Sequence, residues 1–296
     1  MRDDPQVVGA QPRSAVESQM ARSKSPWKAI FAYSVLTLGA VTMLFPLYWM
    51  VLTSLEPGDV AFSSGTIHWW PSKFVWSNYP DAMEAVNIPR LYFNSILVAL
   101  LGTLGQVITS SMAAFAFARL TFPGRDRLFF TYLATMMIPG SVTMIPNFVL
   151  LRMLGWIDTY QALIVPSMFS AYGTFLLRQF FMGLPSELED AAKIDGSGYF
   201  GIFARITLPL SMPALATLTT FTFMGFWGSY MWPLIVIQRA ELRTLPIGLA
   251  SFVGRYSAEY SLWMAASVIA LVPVLVVFVF NQRYFQEGIK MSGIKG

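Results

Sequence analysis

Across 296 residues, 55% are hydrophobic and only 12% are charged, with a formal net charge of +4. A soluble domain carries roughly 25% charge, so the composition excludes an ordinary water-soluble protein and offers no basic surface for nucleic acid. The absence of cysteine excludes disulfides and thiolate metal sites.

Residues 1–28 hold Pro, Ser, Gln and scattered charge with little apolar material, and are expected to form a tail that does not pack. Six runs with no Asp, Glu, Lys, Arg or His follow, at 29–55, 92–118, 128–151, 159–177, 211–238 and 261–282. Each reaches or approaches the ~20 residues that a helix rising ~1.5 Å per residue needs to cross ~30 Å of hydrocarbon. The first run is too long for a signal-peptide core of about 7 to 15 residues, and is expected to stay as a span. The fourth is the shortest and contains Pro166 and Gly173, which helices at membrane depth tolerate when neighbours satisfy the freed backbone groups. The expected fold class is an all-α integral membrane protein, with six transmembrane helices over residues 29–285 and a tail at 286–296. Residues 56–90, between the first two runs, are long enough for an outer cap, in which His68 beside Trp69 and Trp70 reads as an interfacial loop residue.

An even number of spans leaves both termini on one side, and the basic residues choose which. Fourteen of the twenty Lys and Arg fall in the N-terminal tail, the 119–127 loop, the 178–205 loop and the C-terminal tail. Both termini of this multi-pass protein are therefore expected to be cytoplasmic.

The cytoplasmic loop between the fourth and fifth runs reads ELEDAAKIDG, with Glu187, Glu189, Asp190 and Asp195 crowded together. Ser186 and Glu189 have the spacing of a capping box, with Pro185 ahead of them. A short helix is expected there, its acids favoured by the positive end of the dipole and Gly196 placed to end it in a left-handed conformation. Spacing puts Leu188, Ala191, Ala192 and Asp195 on one face. So short a helix needs something packed on that face: its own neighbours, or a groove on a cytoplasmic partner. Gly196, Gly198 and Gly201 also spell G-x-G-x-x-G, but a dinucleotide fingerprint follows a strand, and this one follows a helix.

The longer stretch ELEDAAKIDGSGYFGIFARITLPLSMPAL resembles the E-A-A signature loop of ABC importer permeases. Asp190, Ala191 and Ala192 match the E-A-A with Asp in place of Glu, Gly196 matches the glycine, and Ile206, Leu208 and Pro209 close the pattern. FARLTFPGRDRLFF, MMIPGSVTMIPNFVLL, FLLRQFF and NQRYFQEGIKMSGIKG extend the likeness to carbohydrate-type permeases that resemble the maltose transporter's second membrane subunit. The resemblance implies one of two permease subunits forming a pathway, driven by two cytoplasmic ABC ATPases and supplied by an extracytoplasmic sugar-binding protein. It makes the segment at 187–194 a coupling helix, within a signature loop of about 183–212, that seats in an ATPase groove. The chain has no G-x-x-x-x-G-K-[ST] loop, so it is expected to be no enzyme and to bind no cofactor itself, with ATP and Mg held by the partners. The resemblance leaves open a non-sugar solute such as glycerol phosphate.

A rival reading is a secondary transporter or intramembrane enzyme acting alone, but the uncharged runs count against proton relays and catalysis at depth. A sodium site built from backbone carbonyls escapes that test. For the substrate pathway, Phe223, Trp227, Tyr230 and Leu234 recur at helical spacing, and aromatic faces suit sugar rings. Ser167, Ser170, Tyr172 and Thr174 add hydroxyls in the fourth run. Ordinary packing explains both sets at least as well, with Gly225 and Gly228 placed to admit a neighbouring helix.

Overall fold

The computed structural model describes residues 26–58, 69–71, 73–255 and 260–292, with side chains described within those limits up to 252 and from 260 to 282. The expected tail as far as residue 25, His68 and the final residues of the chain lie outside the described residues. Every regular element among the described residues is helical. The chain forms two units, one ending at Trp49 and the other beginning at Met50.

Helix α1, Pro26–Ser54, contributes its first part to the first unit and carries apolar residues on every side, as a helix surrounded by hydrocarbon does. In the second unit a short helix α2, Asn78–Ala85, leads into α3, Ile88–Arg119. Then come α4 (Arg125–Ala134), α5 (Gly140–Met153), α6 (Tyr160–Ile164), α7 (Ala171–Met182) and α8 (Glu187–Ile194). After α8 run α9 (Tyr199–Ile202), a wide π-type turn at Phe203–Thr207, α10 (Leu208–Leu210), α11 (Met212–Trp227), α12 (Met231–Val236), α13 (Leu245–Arg255) and α14 (Tyr260–Ser292). Backbone helix thus continues beyond the expected span limit at 285.

Among the described residues, only α1, α3 and α14 are by themselves long and apolar enough to cross a membrane; two further pairs meet that test together across sharp bends. The third run bends by 99° between α4 and α5. Pro139 explains it: the residue before a proline is pushed out of the helical region, and Ile138 is extended at φ −83°, ψ 115°. The fourth run is not one helix. It divides into α6 and α7, because Pro166 lacks a donor and Ser170 starts a new helix by accepting the Gly173 N–H at 3.0 Å. Before the fifth run, α10 and α11 meet at 79°, beside Pro209 and Pro213.

Helix α3 is the axis of the second unit. Its 32 residues, about 48 Å at ~1.5 Å each, contribute to all three apolar clusters: Leu91 and Ala99 to one, Val98 to another, Ala114 and Phe115 to the third. Small residues let neighbours approach closely. A Cβ at Gly173 of α7 would stand 2.7 Å from Ser110 Oγ, and one at Gly102 would stand 2.4 Å from the Phe226 ring. The expectation that Gly225 and Gly228 serve this purpose is corrected: Gly225 faces open space and Gly228 meets only the Met224 carbonyl of its own helix.

At its N-terminal end, α3 anchors the strap before α13. Fully buried Asn94 donates to the carbonyls of Glu241 and Arg243, each at 2.8 Å, and accepts from the Tyr160 hydroxyl at 2.8 Å. Ser95 Oγ accepts the Leu245 N–H at 2.7 Å. In the expected cap, Trp70, Phe74, Trp76 and Tyr79 form a chain of ring contacts 5.9 to 6.5 Å apart, with three of them largely exposed, as aromatic residues are at a membrane interface.

Asp158, held at φ 62°, accepts the backbone N–H groups of Gln238 at 2.6 Å and Arg239 at 2.9 Å. The Arg239 amide above all, then the Gln238 amide and the Arg239 charge, hold its carboxyl below the ordinary value of 3.8 against an opposing desolvation effect. A depressed carboxylate pKa stabilises the fold above the unfolded value, and that contribution is lost as pH falls through the lower folded value. Asp158→Ala is therefore expected to speed hydrogen exchange of the 237–239 amides at neutral pH. The wild type should approach the same rate, corrected for intrinsic exchange, only below about pH 4. Unchanged protection in the variant would show that this carboxylate does not hold the strap.

Candidate functional site

The signature segment folds as the short helix α8, and it ends as its sequence predicts. Gly196 has φ +83°; its N–H donates to Lys193 O at 3.0 Å and that of Ser197 to Ala192 O at 2.9 Å. These paired bonds close the end of the helix around a residue that L side chains resist.

The start of the helix corrects the expectation. Ser186 lies in the helical region and makes no side-chain cap, and Glu189 turns away from the backbone to meet Arg119. Their Nε and Oε1 atoms are 3.0 Å apart, with side chains 11% and 10% exposed; the contact is a close ion pair rather than a well-aligned hydrogen bond. Arg119 also donates to the carbonyls of Phe181 at 2.5 Å and Leu184 at 2.7 Å. A buried cation beside it outcompetes an exposed capping bond for the carboxylate. Arg119 thereby joins the end of α3, the end of α7 and the start of α8.

The buried side of α8 also differs from the expected face. Ala192, 9% exposed, packs in the cluster with Leu177, Phe181, Ile202 and Phe203, whereas Leu188, Ala191 and Asp195 point outward. Ala192 is thus a contact within the chain, so it is not on an outward docking face. Ile194, 87% exposed, shares the outward side with Leu188 and Ala191, and Tyr199 and Phe200 follow it in the open. Glu187 is exposed; Asp190 pairs at 3.0 Å with Lys193 one turn on and holds that ammonium above its ordinary pKa. Exposed pairs of this kind contribute little stability. Ile206 and Leu208 pack against the same cluster as Ala192, and Pro209 stands exposed at the bend, so this part of the signature shapes the exit from the loop.

A second set of charges ties α3, α4 and α7 together beside this joint. Arg178 lies 4.1 Å over the Phe129 ring, donates to Phe117 O at 3.2 Å and approaches Asp126 at 3.7 Å, while Arg125 meets Asp126 at 3.1 Å. Sequence reasoning counted Arg119 and Arg178 only among the basic residues that set orientation, and gave Asp126 no role. Their signal was the placement of lone charges at the ends of apolar runs.

In the membrane-embedded part, the four-residue aromatic face fails because α11 ends at Trp227 and the chain resumes at Met231; Tyr230 and Leu234 fall beyond the break. Phe223 and Trp227 are buried, stacked 5.9 Å apart, with Trp227 donating to Ala270 O at 3.1 Å. They are packing residues between α11 and α14, and the pathway reading is withdrawn for them. Ser170 caps α7. Tyr172, by contrast, lines a cavity of about 340 Å³ bounded by α3, α7 and the opposite side of α11. Gln106, Thr222, Ser229 and Thr244, none of them singled out from sequence, share its wall.

A family model described as "Binding-protein-dependent transport system inner membrane component" matches residues 105–290. The arabinooligosaccharides transport system permease protein AraQ of Halalkalibacterium halodurans is 34% identical over 282 residues, covering 94% of this chain and 100% of the relative. The sn-glycerol-3-phosphate transport system permease protein UgpE of Agrobacterium fabrum is 35% identical over 274 residues, covering 89% and 96%. Among solved structures, a chain of a bacterial ABC transporter involved in the import of the acidic polysaccharide alginate superposes with a TM-score of 0.78 at 24% identity. That match covers 90% of this chain and 98% of the other.

Proposed function

The chain belongs to the family of binding-protein-dependent transport system inner membrane components, and from that premise we propose that it is one permease subunit of an ATP-driven carbohydrate importer. Membership makes it a multi-pass inner-membrane transport protein rather than an enzyme or a transporter acting alone. In the proposed assembly a second permease completes the pathway, an extracytoplasmic binding protein delivers solute, and two ABC ATPases bind ATP and Mg. Six crossings with both termini in the cytoplasm fit this role. Support comes from Arg119, Arg125 and Arg178 gathering at one end of α3, with Arg90 and the Arg239 strap at the other.

One observation carries the coupling role: α8 is fixed from behind by Arg119 and Ala192, yet its outward side ends in exposed Ile194, followed by exposed Tyr199 and Phe200 at the start of α9. A braced helix with an apolar tip is what a partner groove needs to push on. Closure of the ATPases would then move α8 together with α3 and α7, alternating the access of the pathway.

Ile194→Asp tests this. The side chain is 87% exposed, so the permease should reach the membrane at normal abundance. Co-purification of ATPase subunits and uptake should both fall about tenfold or more, since a charge would enter a desolvated joint. Normal ATPase recovery with normal uptake would remove α8 from the interface.

A further inference from the structure

We propose that the hollow between the end of α3 and the start of α4 holds the phosphate of an anionic phospholipid headgroup. The uncharged runs on either side stop at Ala118 and resume at Leu128, and α3 and the α4–α5 pair are each apolar enough to cross a membrane. The loop that joins them therefore lies at the surface of the bilayer, level with lipid phosphates. The site needs only a membrane-embedded chain; its consequence for coupling rests on the importer reading above.

The hollow, about 400 Å³, is lined by Thr121, Phe122, Gly124, Arg125, Asp126 and Arg127. Three arginines surround its single acid: Arg125 meets Asp126 at 3.1 Å and Arg178 approaches it at 3.7 Å, while exposed Arg127 forms no ion pair among the described residues. An excess of positive charge at a bilayer surface attracts anionic lipid, and a guanidinium matches phosphate with paired N–H···O bonds. Exposed Phe122, Leu128 and Phe130 flank the arginines. Apolar residues beside the cations favour a lipid over a free phosphate, which has no acyl chains to cover them.

Asp126 divides its attraction between Arg125 of its own helix and Arg178 of α7. A headgroup phosphate that engages Arg125 leaves Asp126 to Arg178, which tightens the tie between α4 and α7 beside the support of α8.

The test uses the complete complex, purified through a tag on this chain and held in nanodiscs. This chain has no cysteine, so with cysteine-free partner chains a bimane on Thr131→Cys reports alone. Thr131 is exposed and one turn beyond Arg127 on the same face. Quenching by nitroxide-labelled phosphatidylglycerol is compared with quenching by phosphatidylcholine carrying the same label. The anionic lipid is expected to bind at least about fivefold more tightly.

Arg127→Gln should lower that preference about fivefold, and Arg127→Lys should lower it far less. Both should unfold at the wild-type temperature, because the side chain is exposed and unpaired. Arg90→Gln, at the other end of α3, should leave the preference unchanged. Equal binding of the two lipids by the wild type, or an undiminished preference in Arg127→Gln, would overturn the site. Displacement of the quenching lipid by inorganic phosphate would overturn its assignment to lipid. The importer reading is judged separately in the same discs, by whether the binding protein stimulates ATP hydrolysis.

Discussion

Arg119→Ala is expected to abolish solute uptake and to lower permease abundance, although Arg119 does not line the cavity between α3, α7 and α11 and lies behind the proposed docking surface. Its removal strands Glu189, whose side chain is 10% exposed, and leaves the carbonyls of Phe181 and Leu184 without their donor. Leaving one member of a buried ion pair alone costs about 3 to 5 kcal/mol, enough to detach α8 from α3 and α7. Glu189→Ala should cost somewhat less, because the Arg119 cation keeps its two carbonyl acceptors. The double variant Arg119→Met with Glu189→Met removes both charges and should recover abundance beyond either single change, yet not uptake, if the rigid link carries the motion. The measurements are thermal stability in detergent and uptake at matched abundance. Additive losses in the double variant would show that the two groups act independently.

The second large effect is expected at Ala192. Its Cβ packs among Leu177, Phe181, Ile202 and Phe203, so Ala192→Arg forces a long cation into a filled, apolar space. Overpacking and an unpaired buried charge together should cost about 3 kcal/mol or more. The permease should then be degraded or unstable, which differs from the outcome at Ile194, where the fold survives and the partner is lost. Comparing the two separates packing behind α8 from docking in front of it. Normal abundance of Ala192→Arg with selective loss of the ATPases would return Ala192 to the interface and contradict the burial observed.

Much of this molecule is legible in one dimension. Long apolar runs require helices whatever their neighbours, because a backbone in hydrocarbon must satisfy itself. The sequence by itself therefore determined the helical class, the position of α8 and the left-handed turn at Gly196, each set by local grammar. Pro166 was visible in the fourth run, but that it divides the run, and that the third run bends at Pro139, only the structure decided.

Other features depend on groups distant in the chain. Whether Glu189 caps its own helix or meets Arg119, seventy residues earlier, is decided by which partner is buried beside it. Which side of α8 faces inward is decided by where α7 and Phe203 happen to lie, and spacing alone could not separate Ala191 from Ala192. The aromatic face of the fifth run dissolved because periodicity assumes an unbroken helix, and the break after Trp227 invalidates it. The cavity needed Gln106, Tyr172, Thr222 and Thr244 to come together from four segments. Sequence determined what each segment could be; the tertiary structure decided what each side chain meets, because burial and pairing are properties of neighbours in space.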